Sequence, residues 1–176
     1  MSSLDRIIDE FNDLTNNPIG NCGITIGLIN GDYRLWNATI LGPKNTNYSG
    51  GLFKMNIKFP EEYPLKAPIV CFTTPIYHIN VNPRAPRSPE DIPLGYISLS
   101  TLSWWKPEYT MKEVFVNIFV LFCKQNPDSP YGIERAEEFR ENREVYNEKV
   151  MLFTKKYASP MCVNTLDSNK DWDFEI

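Results

Sequence analysis

The residues best suited to chemistry lie in one stretch of the sequence, between positions 77 and 105. This stretch holds the only histidine of the chain, His78, with Asn80 two residues later and Ser98 beyond a proline-rich segment. A serine hydroxyl beside a histidine base would suggest nucleophilic catalysis of acyl transfer. However, no G-x-S-x-G turn surrounds Ser98, and the sequence identifies no acid that would orient the histidine. We therefore set the serine-hydrolase interpretation aside.

The elements that must position these residues can be predicted from hydrophobic spacing. Apolar residues at helical spacing indicate an amphipathic helix over residues 3 to 16, which Asn16-Asn17-Pro18 ends. Four strand patterns follow, separated by turn residues, and predict an antiparallel meander. They span about residues 23–29, 34–41, 52–58 and 69–72.

The second half of the sequence predicts an irregular segment followed by helices. Residues 73–110 have little periodicity, but their aromatic residues favour ordered packing, and such a long irregular stretch is usually functional. From Thr110 the sequence MKEVFVNIFVLFCK is apolar nearly all round, which predicts a central, buried helix. Two more helices are predicted at 131–140 and 142–157. We expect one domain over residues 1–158 and an acidic, flexible tail over residues 159–176.

Composition and charge exclude several classes of protein. The net charge of −4 and the pI near 5.1 argue against nucleic-acid binding, which needs a clustered basic face. No apolar run approaches the roughly 20 residues that span a bilayer, and the N-terminus has acids where a signal peptide would be apolar. The sequence therefore predicts a cytoplasmic or nuclear protein that binds neither nucleic acid nor membrane.

The cysteines predict neither a metal site nor disulfides. Four cysteines are scattered without a C-x-x-C pair, and a single histidine accompanies them, so we expect no zinc and no other cofactor. Disulfides are not expected in a reducing compartment. Cys71 and Cys123 lie inside apolar runs, which predicts that both are buried.

Seven short segments, taken in order, resemble the ubiquitin-conjugating enzyme family over roughly residues 4–158. They are WNATILGP at 36–43, YSGGLF at 48–53, FPEEYPLKAP at 59–68, YHIN at 77–80, GYISLSTL at 95–102, WKP at 105–107 and NPDSP at 126–130. The resemblance implies an α+β fold with an N-terminal helix, a four-stranded antiparallel sheet, an active-site groove in the irregular stretch, and C-terminal helices.

The family's chemistry uses a cysteine thiolate, which takes the C-terminal carboxyl of ubiquitin or a ubiquitin-like protein from an activating enzyme as a thioester. A substrate lysine then attacks the thioester, and this step builds an oxyanion that a positioned amide stabilises. The resemblance implies this amide for Asn80, a loop-fixing hydrogen bond for His78, and a place beside the approaching lysine for Ser129. Ile79 replaces the family's proline, and isoleucine does not fix φ as proline does. We therefore expect a less preorganised loop.

Ser98 stands where the family keeps its cysteine, in I-S-L instead of I-C-L. A serine hydroxyl ionises far less readily than a thiol of pKa near 8.5, so the chain is predicted to form no thioester. Three hypotheses stay open. The chain is an inactive variant that binds ubiquitin or an active conjugating enzyme, an active enzyme whose cysteine was changed to serine, or a trafficking adaptor of the same fold that recognises ubiquitin or peptide motifs.

The resemblance also implies surfaces for partner proteins. Activating enzymes dock on the first helix, where Arg6 is outnumbered by acidic neighbours, and this weakens the expected attraction. RING or HECT-type ligases would contact Leu65 and the segment Lys106-Pro107-Glu108. An insert at residues 82–94 lengthens the connection to Ser98, and its prolines predict an extended or turn-rich loop. This loop is either a solvated surface feature or one that selects substrates.

Overall fold

The chain has an α+β fold in which a helix, a sheet and further helices follow one another. The computed structural model describes residues 2–160 and Trp172. The helices are α1 (Ser3–Asn16), α2 (Ser100–Ser103), α3 (Met111–Cys123), α4 (Ile133–Glu141) and α5 (Arg143–Tyr157). The strands are β1 (Ile24–Ile29), β2 (Asp32–Leu41), β3 (Leu52–Lys58) and β4 (Ile69–Phe72). A short 3-10 helix at Gly20–Cys22 leads into the sheet.

The predicted meander is confirmed as an antiparallel sheet with strand order β1-β2-β3-β4. Along β3, buried Phe53, Met55 and Ile57 alternate with exposed residues, as expected for a strand with one face on the core. On β2, the partners of these three residues are also buried and complete the apolar face. They are Ile40, Ala38 and Trp36.

Helix α1 begins and ends as the sequence predicts. The Ser2 hydroxyl accepts the Asp5 N–H while the Asp5 carboxylate accepts the Ser2 N–H, which forms a capping box. The helix buries Glu10 together with its apolar face. Glu10, one of the acidic neighbours of Arg6, is therefore not a free surface charge. Its carboxylate accepts the Tyr63 hydroxyl at 2.6 Å and the Met111 N–H at 2.7 Å, so it ties α1 to the start of α3.

Helix α3 is central, but the expectation that it is buried all round is wrong. Thr110 caps the helix, and one face is fully packed in the core. The buried residues are Met111, Val114, Phe115, Ile118 and Phe122. Val116 and Val120 lie on the other side and are 39% and 49% exposed. The apolar sequence therefore leaves a strip of valine surface in contact with solvent.

The prediction that Cys71 and Cys123 are buried is also wrong. Cys71 is half-buried, because alternation along β4 turns Val70 and Phe72 to the core and Cys71 to the opposite face. Burial nevertheless raises the pKa of its thiol to about 12. Cys123 is exposed at the last position of α3. An apolar neighbourhood in sequence therefore does not say which face of an element a residue occupies.

The predicted tail lies mostly outside the described residues. Beyond Pro160 the structure describes Trp172 alone, and this side chain is 3% exposed. The helices at the C-terminal end of the domain pack on each other, and α5 buries Tyr146, Val150 and Phe153. Within the described residues, no helix is long and apolar enough to cross a membrane.

Candidate active site

Asn80 and Ser98 are far apart in sequence, and a short antiparallel ladder brings them together. The Ser98 N–H donates to the Asn80 carbonyl at 2.8 Å. The facing pairs are Ser98 with Asn80, Ile97 with Val81, and Tyr96 with Asn82. We call this pairing of residues 80–82 with 95–98 the Ser98 ladder. The insert is the loop that connects its two sides.

His78 is fixed within the loop that precedes the ladder. It is 2% exposed, and its Nδ1 accepts the backbone N–H of Asn80 at 3.0 Å. Nε2 therefore carries the proton and donates to the Leu121 carbonyl at 3.2 Å. Burial lowers the pKa of His78 to about 4, so the ring is neutral at pH 7. With both nitrogens engaged, His78 has none to offer Ser98 as a base.

The side chain of Asn80 holds the loop at residues 126–129. Asn80 is fully buried, and its Nδ2 donates to the carbonyls of Asn126 at 2.7 Å and Ser129 at 2.8 Å. Its Oδ1 accepts the Asn126 N–H at 2.9 Å. The amide therefore has its two donors and one acceptor satisfied inside the protein. Stabilising an oxyanion would require it to share or release one of these N–H groups, and that role stays a prediction.

The position of Ile79 is fixed by hydrogen bonding. Its N–H, which a proline would lack, donates to the Tyr146 hydroxyl at 3.1 Å. Tyr146 in turn donates to Oε1 of Gln125, and Nε2 of Gln125 donates to the Tyr48 hydroxyl. Tyr48 donates to the Tyr77 carbonyl and closes the network around the loop. The expectation of a less preorganised loop therefore overlooked a buried partner far away in the sequence.

The Ser98 hydroxyl lies 2.6 Å from the Ser129 hydroxyl. Ser98 is half-buried and Ser129 is exposed on the loop that Asn80 holds. Neither hydroxyl carries a charge near pH 7. Among the described residues, no carboxylate or imidazole hydrogen-bonds to Ser98, and no three metal-binding side chains are grouped. The site therefore offers paired neutral hydroxyls, supported by a rigid frame of amide hydrogen bonds.

The residues assigned to ligase binding lie on neighbouring exposed loops. Leu65 is 75% exposed, and residues 106–108 (Lys106, Pro107 and Glu108) are exposed as well. The indole N–H of Trp105 donates to the Pro64 carbonyl at 2.7 Å, which joins the two loops. Trp104, next to it, is 79% exposed. The ordered packing expected of the aromatic residues in this stretch holds for Trp105 but is wrong for Trp104, which faces solvent.

Arg6, assigned to the activating enzyme, is engaged inside the protein. Its Nε pairs with the Glu10 carboxylate and a terminal nitrogen donates to the Tyr109 carbonyl at 3.3 Å. Its side chain is 27% exposed. The exposed charges beside it on α1 are acidic, including Asp9 and Asp13. Docking on Arg6 stays a prediction, and it would have to compete with these internal contacts.

The insert is exposed at its tip and fixed at its base by Asn82. Its Nδ2 donates to the carbonyls of Arg84, Ile92 and Pro93 at 3.0–3.2 Å, and its Oδ1 accepts the Arg84 N–H. A second turn is held by Asp91, whose carboxylate accepts two backbone N–H groups. Side-chain bonds of this kind are typical of Asn and Asp in turns. The loop is thus an ordered structure with a solvated tip.

The geometry agrees with a comparison against known protein families. The family model described as ubiquitin-conjugating enzyme matches residues 6–154. This range includes the sheet, the Ser98 ladder, the loop at residues 126–129 and most of α5.

Proposed function

The chain belongs to the ubiquitin-conjugating enzyme family, and on this premise we propose that it is a non-catalytic member. It acts in ubiquitin or ubiquitin-like protein transfer by binding the modifier or an active conjugating enzyme, and it forms no thioester itself. The observation that carries the proposal is the hydroxyl pair of Ser98 and Ser129, which has no base hydrogen-bonded to it within residues 2–160.

The chemistry of loading explains why this pair matters. In the family, a thiolate attacks the thioester carbonyl on the activating enzyme, and the activating enzyme's own thiolate leaves. At Ser98 the attacking oxygen would have to lose its proton first, and the hydroxyl of Ser129 is no stronger a base. His78 is buried, and its nitrogens are bonded elsewhere. Because an unactivated hydroxyl is a weak nucleophile, we expect no measurable transfer to Ser98.

A binding function is supported by the exposed apolar side chains on the joined loops. Leu65 and Trp104 present 75% and 79% of their surface to solvent. Large apolar side chains exposed on neighbouring loops are typical of protein-binding surfaces. Lys106 and Glu108, which are exposed and follow Trp104 closely in the chain, supply charges for a polar rim. The partner on this surface would be a ligase, or a protein that competes with ligases.

A second candidate is an active enzyme in which serine replaces the cysteine at position 98. The intact frame around the site favours it, because the Ser98 ladder and the buried Asn80 contacts do not depend on the serine hydroxyl. Under this hypothesis the remaining groups are already placed, and restoring the thiol restores loading.

Two experiments separate these candidates. Titrating labelled ubiquitin, and separately an active conjugating enzyme, with the native chain should give saturable binding to at least one of them. Because the joined loops are assigned to a ligase, Leu65→Ala with Trp104→Ala is tested in a separate titration with a ligase RING domain, and the variant should bind it more weakly than the native chain does. Ser98→Cys is then incubated with activating enzyme, ATP and ubiquitin. Efficient loading supports the second candidate, whereas failure with several activating enzymes supports the non-catalytic protein. Absence of binding to both partners would contradict the first proposal.

A further inference from the structure

Trp172 is buried against the base of the insert. It is 3% exposed, and its backbone N–H donates to the Pro83 carbonyl at 2.6 Å. Its ring lies against Gly95: a Cβ added at Gly95 would come within 2.9 Å of the ring carbon Cη2. Pro83 lies at the start of the insert and Gly95 directly follows its last residue, so Trp172 contacts the chain at both ends of this loop.

Gly95 connects this contact to the site. Its N–H donates to the Asn82 carbonyl at 2.8 Å, and its carbonyl accepts the Phe72 N–H at 2.9 Å. Its φ of +77° is in the region that favours glycine, and a Cβ would lie 2.0 Å from the Phe72 carbonyl oxygen. The position thus has no room for a side chain of its own. The Trp172 ring packs against Gly95, which is the first residue of the 95–98 side of the Ser98 ladder.

The surroundings of Pro83 complement the sequence around Trp172. A groove next to Pro83 is lined by Tyr131, Gly132 and Ile133, by the exposed charges of Arg84 and Glu134, and by Arg135, which is buried against the Tyr77 ring. The sequence around Trp172 is acidic and aromatic, KDWDFEI. A buried tryptophan removes about 150–250 Å² from water and often anchors a segment of chain. Arg84, the exposed cation of this groove, can pair with the carboxylates of an acidic segment.

We propose that the base of the insert is a docking site for the chain's own C-terminal segment, with Trp172 as its anchor. Docking holds the insert and the Ser98 ladder in one conformation, and it adds to the internal bonds of Asn82. This inference goes beyond the proposed function, because it does not depend on which residue stands at position 98. It assigns a specific ligand, an acidic segment with one tryptophan, to a surface beside the site.

Hydrogen exchange on the full chain tests the docking directly. In the native chain, the Trp172 amide should be protected, because it donates to Pro83. In Trp172→Ala, the amides of Asn82, Gly95 and Tyr96 should exchange at least about tenfold faster, since opening of the ladder becomes easier. Trp104→Ala removes an exposed indole and should leave these amides unchanged. An unprotected Trp172 amide in the native chain would overturn the proposal without the use of any variant.

A peptide supplied in trans tests the site as a binding surface. A labelled peptide of residues 166–176, LDSNKDWDFEI, should bind full-length Trp172→Ala and bind the native chain at least about tenfold more weakly, because there the site is occupied. The same peptide with alanine in place of Trp172 should not bind, and Arg84→Glu should weaken binding of the unchanged peptide. Failure to bind Trp172→Ala, or equal affinity for both chains, would contradict the proposal.

Discussion

The backbone N–H of Ile79 donates to the hydroxyl of Tyr146 at 3.1 Å, in the interior beside the candidate site. The bond uses a donor that exists only because residue 79 is not proline. Tyr146 is fully buried and donates onward to Gln125 at 2.6 Å. Isoleucine in place of the family's proline at position 79 is therefore accommodated by a hydrogen bond to α5, which is distant in sequence.

Tyr146→Phe should destabilise the protein, because it leaves the Ile79 N–H and the Gln125 side-chain oxygen without this partner. Loss of a partner for buried polar groups costs about 1–3 kcal/mol of unfolding free energy. Urea unfolding of the native chain, Tyr146→Phe, Ile79→Pro and the double variant measures it. The cost of Tyr146→Phe should be smaller in the Ile79→Pro background. Equal costs in both backgrounds would mean that the 3.1 Å contact contributes nothing.

Asn80→Ala should separate the two roles suggested for Asn80. In the Ser98→Cys background, the variant should still load ubiquitin but discharge it to free lysine about 10²-fold more slowly, the low end for loss of an oxyanion donor. Its unfolding free energy should also fall, because Asn126 and Ser129 lose their buried partner. Single-turnover discharge measures the first effect. An unchanged rate with lowered stability would assign Asn80 to loop structure alone.

The lowered pKa of His78 predicts a loss of stability in acid. Its folded pKa is about 4, below the unfolded value near 6.5, so the unfolded chain takes up the proton first. The stability from neutral His78 is complete above pH 6.5 and is lost as the pH falls toward 4, by up to about 1.4 kcal/mol per pH unit.

Because His78 is the only histidine, its NMR signals identify it without ambiguity. They should report a neutral ring at pH 5.5, with the proton on Nε2. Between pH 6.5 and 5, the unfolding free energy of the native chain should fall with pH. The unfolding free energy of His78→Gln should not show this fall. A titration midpoint near 6.5 in the folded protein would show that the ring is accessible to solvent.

Glu10→Ala should destabilise the junction of α1 and α3, because Tyr63 and the Met111 N–H lose their acceptor and Arg6 loses its ion pair. We expect a loss of about 1–3 kcal/mol in unfolding free energy. Asp9→Ala is the matched control, since Asp9 is an exposed acid on the same helix. Thermal or urea unfolding compares the two. Equal effects of both substitutions would contradict the structural role of Glu10.

The sequence predicts the parts of the fold that follow from local periodicity. Alternation along residues 52–58 identified a half-buried strand, and helical spacing over residues 3–16 identified α1. It did not predict α2, which has four residues and is too short for a periodic signal. It also placed Cys123 in the core, because an apolar run does not specify which positions face solvent.

The candidate site was likewise predicted only in part. The motifs predicted that Ser98, Asn80 and Ser129 belong to one site, and the structure brings them together through hydrogen bonds. The residues that hold the site were not predicted. Asn82 and Tyr146 act through contacts that only the folded chain creates, and neither lies in a motif that carries chemistry.

The most direct measurement of the central claim is loading of the native chain. It is incubated with activating enzyme, ATP and ubiquitin, and the products are compared with and without reductant. We predict no thiol-labile adduct, because a hydroxyl occupies position 98. Cys123→Ser is the necessary control, since Cys123 is an exposed thiol. A ubiquitin oxyester on Ser98, which resists reductant and is cleaved by hydroxide, would contradict the account, and so would a thiol-labile adduct that persists in Cys123→Ser.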